Sequence, residues 1–246
     1  MLPLLLSIGP VKIYSMGVLV AVGIFLSLYW WWKMGRDEHW EEIELFDTYF
    51  LALFAFAVFG RVAYVLLNWG EMGTLYRALA VLAFPGFNIL AGVLGSCGAM
   101  WLAAREHEWD KYKMFDAWAV VVGVAAVFFA LGGLLDGASG VAALDWWGVG
   151  WAVITFAILS KVRKSFRFYA WYKGNASVAR DGLTAFLASG LIGVWGVGGG
   201  IILTNWFYLG GGLVAILLSM VAIYHNIGHR ENIWVNLLQW IKLRRK

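Results

Sequence analysis

Residues 48–67 read TYFLALFAFAVFGRVAYVLL, twenty positions with a single charge, Arg61, and no proline. The apolar residues run continuously instead of alternating, which is the pattern of a helix rather than of a barrel strand. No polar face is left over for water, as a surface helix of a soluble protein would have. About twenty apolar residues cross the hydrocarbon core of a bilayer as a helix. Working outward, comparable stretches occur at 13–32, 78–104, 114–135, 146–160, 182–204 and 206–226, giving seven expected spans. The composition agrees: 62% of the 246 residues are apolar and 14% charged. Soluble domains hold about 45–50% and about 25%. A cytosolic enzyme, a secreted domain and a disordered chain are thereby excluded. The sequence is read as all-α, one polytopic transmembrane domain over residues 1–246. The first stretch reads as a span and not as a cleaved leader. The lone Cys97 can form no disulfide within the chain.

Finer features follow from punctuation. Phe84-Pro85-Gly86 interrupts the long third stretch, because proline lacks the N–H that a helix interior needs, so a kink or break is expected there. The fifth stretch is short and is expected to begin near Val141. The sixth and seventh almost touch and predict a tight turn near Asn205. Strands are not expected.

The charges orient the spans. The connections after spans one, three and five, together with the C-terminal tail, carry sixteen Lys and Arg; the opposite side carries Lys12 and Arg77. Cytoplasmic segments accumulate basic residues, so the N-terminus is expected outside and the C-terminus inside, with an even number of spans scrambling the bias. Trp30, Trp31, Trp32, Trp146, Trp147 and Trp206 fall near span ends, as interfacial indoles do. Residues 36–47 place Trp40, Ile43 and Phe46 at helical spacing. They read either as a short helix on the inner surface or as a solvated connector. The basic, aromatic segment 161–173 attracts anionic lipid or simply marks topology. The cluster Gly193, Gly196, Gly198, Gly199 and Gly200 reads as a close-packing surface.

Four polar residues are candidates for chemistry. Arg61 lies deep in span two, where an arginine costs roughly 2.5–3.5 kcal/mol at mid-span on insertion scales. It either snorkels or pairs with a carboxylate, or it holds a lipid phosphate in the outer leaflet with its planar donor fork. Tyr64 lies one turn outward on the same face. Asn88, in span three, falls at similar depth, and Asp136 closes span four at the outer face. For Asn88 the alternative is a helix-packing hydrogen bond, and for Asp136 an ordinary polar turn. His39, His107, His225 and His229 fall in or near cytoplasmic segments. No metal-ligand spacing, nucleophile–base pair, phosphate loop or nucleic-acid module is present, so neither metal, cofactor nor nucleic acid is expected.

Several motifs carry a resemblance. Ser7-Ile8-Gly9-Pro10-Val11-Lys12-Ile13 followed by Gly17 and Gly23, and Gly60-Arg61-Val62-Ala63-Tyr64-Val65-Leu66, resemble the first two spans of bacterial prolipoprotein diacylglyceryl transferases. Gly86, Gly92, Val93, Leu94 and Gly95, then Leu131-Gly132, Asp136 and Gly137, are similar to that family's third and fourth spans. The resemblance implies a multi-pass protein of the bacterial inner membrane. It implies transfer of diacylglyceryl from phosphatidylglycerol to the lipobox cysteine of a prolipoprotein signal peptide, with release of glycerol phosphate. It gives Arg61 and Tyr64 a lipid-binding role, and Asn88 and Asp136, expected in the same outer-leaflet layer by their depth, complete the expected lipid-binding set; no catalytic residue is assigned. Other matched positions depart from the family. Leu90 stands at the third-span histidine, Ala130, Gly133 and Ala138 replace fourth-span polar residues, and Val194 and Gly198 replace sixth-span charges. The alternatives are therefore a weak or inactive homologue that binds lipid or lipoprotein precursor, or a small transporter.

Overall fold

A computed structural model describes residues 4–8, 11–80, 84, 86–137, 139–172 and 181–226. Pro85, Lys173, Arg180, His229 and the basic C-terminal tail lie outside the described residues. A short antiparallel hairpin, β1 (Leu4–Ile8) and β2 (Val11–Tyr14), precedes nine helices among those residues. These are α1 (Ser15–Asp37), α2 (Glu42–Leu67), α3 (Trp69–Met72), α4 (Leu75–Leu79), α5 (Ile89–Glu106), α6 (Lys111–Asp136), α7 (Ala142–Tyr172), α8 (Leu183–Leu203) and α9 (Trp206–Asn226). The fold is helical as expected, and the hairpin is an addition. Its β-branched and aromatic residues favour a pleated backbone, but four or five positions are too few for a periodic signal.

Among the described residues, six helices are long and apolar enough to cross a membrane: Ser15–Asp37, Glu42–Leu67, Lys111–Asp136, Ala142–Lys164, Leu183–Leu203 and Trp206–Tyr224. The expected third span, 78–104, is the exception. Helix there begins only at Ile89, where the Asn88 side chain caps it by accepting a hydrogen bond from the Ala91 amide at 2.9 Å. The 18 residues of α5 extend about 27 Å.

The chain divides into two compact units. In the unit Leu28–Ala117, α2 packs against α5 through small residues. A Cβ on Gly92 would lie 2.9 Å from the Phe56 ring, and one on Gly95 would lie 2.6 Å from Phe59. Ser96, Ala99 and Ala103 continue this buried face, the close-approach device of membrane helices. At one end of the unit, α1 and α5 each finish in a left-handed residue, His39 (φ 63°) and Glu108 (φ 55°). The amides of Trp40 and Trp109 then reach back five residues, to the carbonyls of Gly35 and Ala104, closing both helices with reversed terminal turns. The two tryptophans stack at 4.5 Å and 9°. Trp31 is buried and donates to the Leu45 carbonyl at 2.8 Å, so it is a core residue and not an interfacial one. Ion pairs Arg36–Glu42 (3.7 Å) and Lys113–Glu38 (3.9 Å) and a contact of His107 with Glu44 (3.1 Å) surround the corner. Residues 36–47 thus form no surface helix: α1 runs to Asp37 and α2 starts at Glu42.

The second unit comprises Met1–Ser27 and Trp118–Lys246. Here α8 and α9 form a tight helical hairpin. A Cβ on Gly193 would sit 2.7 Å from the Gly212 carbonyl, and one on Gly212 would sit 2.6 Å from that of Gly193. The turn falls where expected: Thr204 is left-handed, and the Asn205 side chain accepts from the Phe207 amide at 2.9 Å to start α9. Trp147 and Trp151 stack and donate to α8 carbonyls at Trp195 and Leu191. Trp147 therefore packs between helices, whereas Trp146 and Trp206 are exposed as interfacial residues would be.

Candidate functional site around Arg61

Arg61 lies six residues before the last residue of α2, Leu67. Its guanidinium turns onto main-chain carbonyls. Nε donates to the Ala78 carbonyl at 2.9 Å, one terminal nitrogen to Gly86 at 2.9 Å and the other to Arg77 at 2.8 Å. One planar side chain thereby ties down both ends of the stretch between α4 and α5. The flanking signature residues act on the same stretch. The carbonyl of Gly60 accepts from the Asn88 amide at 3.0 Å, and a Cβ on Gly60 would overlap the Phe87 ring. A Cβ on Gly86 would overlap the Tyr64 ring, and that ring lies 5.8 Å from the Arg61 guanidinium. Asn68 closes α2 by donating to the Tyr64 carbonyl. The Gly60-Arg61-x-x-Tyr64 motif is a cradle for Arg77, Ala78 and Gly86 to Asn88.

The structure brings Arg61, Tyr64 and Asn88 together, although the Asn88 side chain is spent on its helix cap. Asp136 is the last residue of α6, is exposed, and belongs to the other compact unit. Sequence reasoning counted Arg77 only as an outer charge. Its guanidinium donates to the Glu71 carbonyl at 2.8 Å and lies 5.5 Å from the Phe84 ring, so it braces the same segment. Nothing in the letters announces this, because both arginines bind main-chain oxygens.

Carbonyls neutralise no charge. Of the five N–H donors of an arginine, three are engaged here, and no carboxylate pairs with Arg61 among the described residues. A half-buried, pre-oriented cation with two spare donors can still take an anionic oxygen. Around it the chemistry is sparse. Leu90, in the first turn of α5, is 67% exposed and offers no acid or base. No metal-holding group of His, Cys, Asp or Glu occurs among the described residues.

The profile of the prolipoprotein diacylglyceryl transferase family matches residues 3–163. Relatives named phosphatidylglycerol–prolipoprotein diacylglyceryl transferase include one from Clostridium tetani, 24% identical over 137 residues, covering 56% of this chain and 55% of the relative. One from Agrobacterium fabrum is 27% identical over 173 residues, covering 62% and 56%. One from Xanthomonas oryzae pv. oryzae is 26% identical over 167 residues, covering 62% and 52%. The chain spans about half the length of the relatives it matches. The matched region takes in the hairpin, α1 to α6 and most of α7, including the whole Arg61 cradle, and the chain belongs to the prolipoprotein diacylglyceryl transferase family.

Proposed function

We propose that this protein is a multi-pass protein of the bacterial inner membrane that binds phosphatidylglycerol at Arg61 and Tyr64, with Asn88 capping α5 beside them. In this reading it is a diacylglyceryl transferase-type protein of lipoprotein maturation in which lipid binding is retained and transfer to the lipobox cysteine is slow. The observation that carries it is the Arg61 guanidinium, held by three carbonyls and balanced by no carboxylate among the described residues. A phosphate is the natural counter-charge for such a fork. The slow step follows from what is missing: thiol attack on a glyceryl carbon needs a base and a further donor for the departing phosphate. Leu90, Ala130, Gly133, Ala138, Val194 and Gly198 supply neither. A fully competent transferase is the second reading, favoured by the match to enzymes of that name across residues 3–163.

The proposed topology has seven crossings, with the N-terminus outside and the C-terminus cytoplasmic. The seam between α2 and α5 supports a returning α5.

The test is transfer of labelled diacylglyceryl from phosphatidylglycerol micelles to a lipobox peptide by the purified chain, alongside direct lipid binding. Losing one electrostatic donor costs about 100- to 1000-fold, so turnover is expected at least that far below a complete family enzyme. Phosphatidylglycerol binding is expected to be present and weakened by Arg61→Leu. Robust turnover abolished by that substitution would establish the second reading.

A further inference from the structure

A second candidate site lies away from Arg61, at the corner between α5 and α6. An open cavity of about 440 Å³ is bordered by Trp101, Arg105, Glu108, Trp109, Lys111 and Tyr112. Its cations are set along aromatic walls: Arg105 lies 5.0 Å from the Trp101 ring and Lys111 lies 5.3 Å from the Tyr112 ring. The wall behind them is fixed, since Trp109 is stacked on Trp40 at 4.5 Å and on His107 at 5.0 Å.

The charges of this corner are unevenly spent. Glu38, Glu42 and Glu44 pair with Lys113, Arg36 and His107. Asp110 is used as the cap of α6, accepting from the amides of Tyr112 at 2.8 Å and Lys113 at 3.3 Å. Arg105 and Lys111 pair with no carboxylate among the described residues. An apolar track leads out of the cavity. Leu90, Leu94, Trp101 and Arg105 share one stripe of α5, being spaced in steps of whole turns. Leu90 and Leu94 are 67% and 64% exposed. The eleven residue steps from Leu94 to Arg105 extend about 16 Å, comparable to a fatty-acyl chain.

We propose that this corner is a second phospholipid site, with the phosphate held between Arg105 and Lys111 and an acyl chain lying along Trp101 toward Leu94. Under the proposed orientation the lipid belongs to the cytoplasmic leaflet, opposite the Arg61 site. The site is independent of any transfer reaction, so an inactive transferase leaves it untouched.

Native mass spectrometry of the purified full chain, titrated with dioleoyl phosphatidylglycerol, provides the test. The double substitution Arg105→Gln/Lys111→Gln is expected to weaken one bound lipid by about 30-fold, from roughly 1 kcal/mol per basic residue. Both side chains project to the surface, so the melting temperature stays within a degree or so of the parent. Arg105→Lys keeps the charge and most of the binding, whereas Leu94→Gln weakens it with the cations intact. Arg61→Leu leaves this lipid bound. Unchanged affinity in the double variant would overturn the proposal. Displacement by glycerol 3-phosphate as effective as by the lipid would also overturn it, by assigning the corner to a free phosphate.

Discussion

Arg61 does with one side chain what usually takes several. Its fork spans the carbonyls of Arg77, Ala78 and Gly86, and a lysine, a point donor on a flexible stem, cannot reach three such acceptors at once. Arg61→Lys therefore keeps the charge but abandons at least two carbonyls. With about 1–3 kcal/mol for an unsatisfied buried acceptor, discounted for partial exposure, the loss is about 2 kcal/mol. The expected outcome is a lower melting temperature in detergent and faster amide exchange across residues 77–88, with α8 and α9 unaffected. Lipid binding falls too, since the fork and its segment form one unit. If exchange in that segment does not change, the clamp is not what orders it. The motif itself was legible, because glycine, arginine and tyrosine are letters at fixed spacing. Its partners were not, because a backbone carbonyl has no letter, and that is why Arg77 and Phe87 went unnoticed.

Element boundaries depend on local chemistry that sequence states well and on distant contacts that it states poorly. The break before α5 and the turn at Asn205 were readable, since proline, glycine and asparagine act where they stand. The segment 36–47 left a surface helix and a connector open; a turn joins α1 to α2 there, and the stacking of Trp40 on Trp109, remote in sequence, was not legible. The same corner holds a testable cost. His39 sits at φ 63° in the closing turn of α1, a place where glycine is preferred. Its side chain is exposed and has no hydrogen bond, ion pair or ring contact among the described residues. His39→Gly removes the clash between Cβ and carbonyl while giving back some unfolded-state entropy. The expected net is a gain of about 0.5–1 kcal/mol, seen as a higher melting temperature, with the aromatic near-ultraviolet signal of the tryptophan stack retained. A decrease would mean that the imidazole contributes more than its backbone strain costs.

At the scale of the whole molecule, the charge count alone does not fix the number of crossings, contrary to the expectation that an even number scrambles it. If α5 did not cross, Lys12 and Arg77 would join the basic side and Lys33 and Arg36 would leave it, again sixteen against two, with the N-terminus now inside. The degeneracy is broken by contacts within the unit Leu28–Ala117. The corner from α1 to α2 and the corner from α5 to α6 touch through Trp40 and Trp109, His107 and Glu44, and Lys113 and Glu38. Both corners must then lie on one side of the membrane. Since α2 leaves that side, α5 has to return to it, antiparallel along the glycine seam at Gly92 and Gly95. This is the ground for the seven crossings we propose, an arrangement that groups the corner carrying Lys33 and Arg36 with the other basic segments. The predicted outcome is specific to two positions. On a Cys97→Ser background, His39→Cys is labelled by membrane-impermeant maleimide only after the cytoplasmic face is opened, and Thr74→Cys is labelled from outside in intact cells. Six crossings reverse both results. Gly140→Cys cannot decide the matter, because residue 140 faces outward in either arrangement, so the informative probes are the two that flank α2.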